Sequence, residues 1–246
     1  LARGIRAADL AGTITVYDPD PGCLRSFCAE VDAIGVRDNE SVALAAPILF
    51  LAVKPQDMES ATSTLAIGDG SLADKLVVSI AAGVTLDRLS SWLPDARLIR
   101  VMPNTPCLVS EMAAGFSLGA TATDRDSTIV GDLLGALGVA LEVKEEHLDA
   151  VTALSGSGPA FFAGLLQAFI DAGQFCGLPI EVARELTLQT AKGTAALLQE
   201  RGWEPRQLIE MVSSPGGTTV AGRGVLESSD IPEVIANTIK AATARG

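Results

Sequence analysis

Apolar residues in the first half of the chain fall into short runs at 14–17, 48–53, 76–80 and 98–102. Each is too brief for a helix, and most are apolar at successive positions. Segments with helical spacing or helix-start residues lie between them, at 24–34, 39–45, 57–65 and 86–92. Strands apolar on both faces that alternate with helices predict a parallel sheet of βαβ units. Two further strands are predicted at 113–118 and 139–143, around a helix at 124–137. From Glu145 the texture changes to Ala/Leu-rich helical stretches at 149–176, 180–199, 205–212, 218–227 and 232–244. Gly177-Leu178-Pro179 and Arg201-Gly202 break them. The expected organisation is an α/β domain over residues 1–144 and an all-helical domain over 145–246.

Open parallel sheets bind ligands beyond the carboxyl ends of their strands. Those ends here carry Asp18-Pro19, Val53-Lys54-Pro55, Ile80-Ala81-Ala82-Gly83 and Pro103-Asn104-Thr105-Pro106. Small residues, prolines and an amide predict a crevice for a dinucleotide, hence a Rossmann-type domain. Strand–GxGxxG–helix, the phosphate loop of that fold, is not found in working order. Gly68-Asp69-Gly70-Ser71-Leu72-Ala73 has the letters but precedes a strand, and reads as a surface loop. Gly222-Arg223-Gly224 sits inside a helical pattern, and Gly156-Ser157-Gly158 lies in the helical domain. Residues 1–8 read as the latter part of the helix after such a loop. The first strand and glycine loop, roughly 15–20 residues, are then expected to precede Leu1. A chain starting at Leu1 is expected to bind dinucleotide poorly. Asp18 ends the next strand, where a carboxylate bonds the adenine ribose 2′-OH and repels a 2′-phosphate, favouring NADH. A turn aspartate before Pro19 is the competing reading.

Composition narrows the chemistry. The chain has 246 residues, 18 Lys+Arg against 30 Asp+Glu, and a net charge of −12. That balance disfavours nucleic acid and anionic membranes as partners. The longest apolar run, 42–53, is too short to span a bilayer. One His and four Cys without a Cys-x-x-Cys pair argue against a metal site, and free thiols suit a reducing cytoplasm. His147 and Lys54 read as a solvated helix-start residue and a cofactor-side contact.

Four segments are more specific: Ala52-Val53-Lys54-Pro55, Val101-Met102-Pro103-Asn104-Thr105-Pro106, Leu154-Ser155-Gly156-Ser157-Gly158-Pro159-Ala160, and Ser213-Ser214-Pro215-Gly216-Gly217-Thr218-Thr219. In this order and spacing they resemble the pyrroline-5-carboxylate reductases over essentially the whole chain. The resemblance implies reduction of 1-pyrroline-5-carboxylate to L-proline with NADPH or NADH, by a homodimer or larger homo-oligomer. It implies cofactor contacts from Asp18, Asn39, Ala52, Val53, Lys54, Pro55, Ile80, Ala81, Ala82, Met102 and Asn104. Substrate contacts are implied for Glu145, Ser155, Gly217, Thr218 and Thr219. Arg223 and the turn Arg201-Gly202-Trp203-Glu204 depart from the family pattern.

The chemistry is consistent with such a chain. An iminium is already electrophilic, so the protein has mainly to align hydride donor and acceptor and hold a carboxylate. Gly216-Gly217-Thr218-Thr219 before a helix offers free N–H groups and hydroxyls to an anion, although Thr there also suits a plain helix cap. Thr219 is the candidate catalytic residue, bonding the ring nitrogen, with a bound water as the other proton source. Ser155 to Pro159 suits either ligand approach or tight helix packing at a kink. Two alternatives stay open: a related imine reductase or β-hydroxyacid dehydrogenase, with Lys192 as its lysine, and a non-catalytic nucleotide-sensing homologue.

Overall fold

The structure is a computed structural model, and it describes residues 1–65 and 72–246. The described residues form two compact units, Leu1–Pro159 with Ala241–Gly246, and Ala160–Lys240.

The first unit alternates strand and helix. Its order is α1 (Ala2–Ala7), β1 (Thr15–Val16), α2 (Pro21–Val31), β2 (Ile34–Gly35), α3 (Asn39–Ala45), β3 (Ile48–Leu51), α4 (Met58–Ser63), β4 (Leu76–Ser79), α5 (Leu86–Trp92), β5 (Arg97–Met102), β6 (Met112–Leu118), α6 (Asp124–Gly135), β7 (Gly138–Glu142) and α7 (Leu148–Val151). Strands β3 to β7 make one sheet in that order, and β1 and β2 pair separately in parallel. Along β4, Val77 joins a core with Leu49, Leu51, Leu86 and Leu89. Leu76 and Val78 join another with Ile99, Val101, Phe116, Val130 and Leu134. The period of two explains why the strand is apolar throughout: each face meets helices.

Three features differ from the sequence pattern. Ile34, expected to close a helix, instead opens β2, because Asp32 takes a left-handed conformation (φ 52°) that ends α2 early. Strand β6 runs antiparallel to β5, with Met102 opposite Gly115, whereas β6 and β7 are parallel. The connection from β5 to β6 is short and holds one 3₁₀ segment, so no helical crossover reverses the chain. The third lies in the second half of the chain. The helical run Glu145–Phe175 is long and apolar enough to cross a membrane by length and composition, its interspersed glycines and serines having hidden it in the sequence. The Gly68 motif falls largely outside the described residues.

Helix ends explain much of the local order. Asp38 caps α3, its Oδ1 accepting the Ser41 hydroxyl (2.5 Å) and N–H (2.8 Å). Those bonds, the hydroxyl's first, hold its carboxyl below the usual carboxylate value. Asp126 and Thr123 form a reciprocal capping box on α6, and Arg97 pairs with the buried Asp126 carboxylate.

The second unit holds α8 (Gly158–Phe175), which begins in the first unit, α9 (Ile180–Arg201), α10 (Pro205–Met211), α11 (Thr218–Glu227) and most of α12 (Ile231–Thr243). Among its described residues only Ile170 and Ala183 are buried apolar side chains. Phe162, Phe169 and Phe175 are 64%, 62% and 93% exposed.

Candidate active site

Four of the expected cofactor segments end strands of the first unit. After β3, Ala52, Lys54 and Pro55 are exposed and Val53 half-buried, and the chain turns at once into a 3₁₀ segment, Pro55–Asp57. After β4, Ala81 is buried and Ala82 exposed, while Ile80 is half-buried. Gly83 follows with φ 71°, a conformation that favours glycine. The buried Ser79 hydroxyl accepts the Ala81 N–H at 3.3 Å and stiffens that turn. Met102 ends β5, half-buried. Asp18, two residues beyond β1, accepts the Asp20 N–H through Oδ1 at 2.8 Å. This is the turn geometry that competed with the ribose reading; Oδ2 has no partner among the described residues. Small, exposed side chains at the ends of β3 and β4 leave backbone open to a flat, extended ligand, so the residues present suit a dinucleotide.

Two of the expected contacts have other partners. Asn39 opens α3, and its Nδ2 donates to the Thr64 hydroxyl (2.8 Å) and the Ala61 carbonyl (3.3 Å) at the end of α4. Asn104 donates through Nδ2 to the Ser155 carbonyl (3.1 Å) and accepts the Ala113 N–H through Oδ1 (3.0 Å).

Glu145 lies against a group that the sequence pattern did not single out. Its Oε1 accepts the Leu86 N–H (2.7 Å) in the first turn of α5, which Thr85 caps, and an Arg100 N–H (3.1 Å). Arg100 is 5% exposed and also faces Asp149 at 3.6 Å. The available signal was a charge within Arg97-Leu98-Ile99-Arg100-Val101-Met102, an otherwise apolar strand, since buried guanidinium is kept only with partners. The segment Thr152–Gly156 forms a π-helical turn. The Ser155 hydroxyl donates to the Val151 carbonyl at 2.9 Å. A Cβ on Gly156 would lie 2.6 Å from the Met102 methyl, so that glycine allows close packing.

The substrate loop lies in the second unit. Gly216 has φ 74°. A Cβ on Gly217 would fall 3.0 Å from the Ser214 carbonyl, so the turn requires both glycines. Gly217 is the N-cap of α11, and no side chain caps that helix. The N–H groups of Thr218, Thr219 and Val220 have no partner among the described residues, and Thr219 is half-buried. An uncapped helix start with converging N–H groups and two hydroxyls attracts a carboxylate. Arg223, one turn on, reaches the Ser213 hydroxyl at 3.3 Å and Glu227 at 2.8 Å.

Comparison with known proteins places this arrangement. Pyrroline-5-carboxylate reductase of Arabidopsis thaliana is 41% identical over 208 residues, 84% of this chain and 74% of that protein. The chain belongs to the pyrroline-5-carboxylate reductase family. The family model "Pyrroline-5-carboxylate reductase dimerisation" matches residues 145–246, and "NADP oxidoreductase coenzyme F420-dependent" matches residues 1–83. A pyrroline-5-carboxylate reductase structure from Coxiella burnetii superposes with a TM-score of 0.91 at 32% identity, covering 99% of this chain and 91% of that one. The Plasmodium falciparum enzyme, solved with NADP bound, gives 0.84 at 30% identity over 99% and 90%. The architecture is thus that of the reductase family, a Rossmann-type domain followed by a helical dimerisation domain.

Proposed function

We propose that the chain reduces 1-pyrroline-5-carboxylate to L-proline with a nicotinamide dinucleotide, residues 1–144 binding the cofactor and residues 145–246 the substrate and a second subunit. The observation that carries this for the chain's own residues is the uncapped start of α11 behind Gly216 and Gly217. The turns at Ala52–Pro55 and Ile80–Ala82, with Met102 and the backbone of Asn104 beyond β5, Asp18 beyond β1 and Asn39 on α3, would hold the dinucleotide. When bound, that cofactor supplies the hydride that reduces the imine carbon. The N–H groups of Thr218 and Thr219, presented by the turn at Gly217, hold the substrate carboxylate, and the Thr219 hydroxyl bonds the ring nitrogen. The nitrogen takes its proton there, from the hydroxyl or from a water that the hydroxyl holds. Glu145 and Ser155 stand on the substrate side of the proposal. Asp18, through its unpartnered Oδ2, favours NADH over NADPH by repelling a 2′-phosphate.

The exposed apolar helical face fits a second copy of the chain, so the active species is a homodimer or larger homo-oligomer. The unpaired thiols of Cys23, Cys28, Cys107 and Cys176 suit the cytoplasm. The test is proline formation by the full-length protein from pyrroline-5-carboxylate with NADH and with NADPH. Turnover is expected with both, faster with NADH, and Asp18→Ser should move the ratio toward NADPH by about tenfold. Thr219→Ala should lower kcat/KM by roughly 10- to 100-fold. No turnover with either cofactor would overturn the proposal.

A further inference from the structure

Asn104 is satisfied at both ends of its amide, and one of its partners is an unusual carbonyl. Ser155 lies in the π-helical turn Thr152–Gly156. The residue four positions on, whose N–H an α-helix would offer to the Ser155 carbonyl, is Pro159, which has none. The Asn104 Nδ2 takes that place at 3.1 Å. Its Oδ1 accepts the Ala113 N–H at the start of β6, so the amide is fixed in orientation and cannot rotate away. The turn is further held by the bond from the Ser157 N–H to the Thr152 carbonyl (2.8 Å), and Gly156 lies under Met102. A single side chain therefore ties the end of β5 to a wide helical turn. Such turns are rare and cluster at functional sites.

We propose that Asn104 is a positioning residue for the reaction: it holds the Thr152–Gly156 backbone in the π register and at a fixed distance from the β5 turn. This rests on the reductase reading above. Its contribution is geometric and acts through Ser155, and a misplacement of about 1 Å near reacting groups can cost 100-fold in rate.

The experiment compares wild type, Asn104→Ala, Asn104→Asp and the double variant Asn104→Ala/Pro159→Ala. Alanine at 159 supplies the missing N–H and lets the turn close as an ordinary α-helix. Asn104→Ala is expected to lose roughly 10- to 100-fold in kcat/KM, with a lowered Tm and faster amide exchange confined to residues near Ser155. In the double variant Tm should recover while kcat/KM should not. Asn104→Asp keeps the Ala113 bond but sets a carboxylate oxygen against the Ser155 carbonyl. Its activity relative to wild type should rise as pH falls and the carboxyl gains a proton to donate. It also keeps the test open if the alanine variant fails to fold. Retention of kcat/KM within about twofold in Asn104→Ala, or recovery of both Tm and kcat/KM in the double variant, overturns the proposal. If wild type itself shows no turnover, the reductase reading fails. The exchange measurement then decides alone, and unchanged exchange near Ser155 in Asn104→Ala overturns the proposal.

Discussion

The Asp126 carboxylate is buried, and burial by itself raises its pKa. The opposing contributions win: the Thr123 hydroxyl and N–H donate to it, and the Arg97 guanidinium sits beside it, so its value lies below the ordinary one. A group depressed in the folded state contributes stability in full above its unfolded pKa of about 3.9 and loses it as pH falls through the folded value. Tm measured from pH 7 to pH 3 should therefore fall steeply below about pH 4, and Asp126→Asn should flatten that limb while lowering Tm near neutrality. Glu145 gives a second test. Glu145→Ala leaves the Leu86 N–H without its acceptor, the Thr85 cap of α5 staying in place, and leaves buried Arg100 with Asp149 as its remaining partner, a loss of about 2–3 kcal/mol by urea unfolding. Glu145→Gln keeps the acceptor for the Leu86 N–H and should lose less. Residues of this kind mark where the sequence stopped being legible. The candidate position Glu145 could be named from the local motif, but its partner Arg100 lies on β5, and pairing across 45 positions leaves no trace in spacing. Asn39 and Asn104 were legible as polar residues at strand and helix ends. The Thr64 and Ser155 groups they engage were not.

At the scale of elements, helices α3, α5 and α11 carry the boundaries that their spacing predicts, since each has a clear start and no rival pattern. The short β2 escaped notice because two residues cannot show a period, and the reversal at β6 escaped because strand direction is not encoded in apolar alternation. Glycine decides two junctions. Gly138 has φ 143°, and a Cβ there would lie 2.2 Å from the Met112 carbonyl oxygen. Gly138→Ala should thus cost at least about 2 kcal/mol and loosen the β6–β7 pairing, seen as lost amide protection in both strands. Gly217→Ala crowds the Ser214 carbonyl at the substrate loop. Its expected signature is a rise in KM for the imino acid with Tm within a few degrees of wild type.

For the whole molecule, the helical unit is incomplete as a single copy. Exposed Phe162, Leu165, Phe169, Leu186, Val225 and Val234 are far more apolar surface than a monomer keeps in water. Self-association is the economical explanation of the apolar helix that also passes the membrane-length test. Phe169→Glu should shift the species toward monomer in sedimentation or light scattering, make Tm strongly concentration-dependent, and reduce turnover with it. The antiparallel β5–β6 pair has a different consequence, for the order of folding events. Met102 opposite Gly115 is the pairing of least sequence separation among the described strands. Every parallel neighbour must first close a longer loop around a helix, which costs entropy before any contact rewards it. The β5–β6 ribbon, with Val101 facing Phe116, is thus where the sheet is expected to nucleate. Conservative truncations at Val101 and Phe116 should slow refolding, while truncations at Leu49 and Val77 should chiefly speed unfolding.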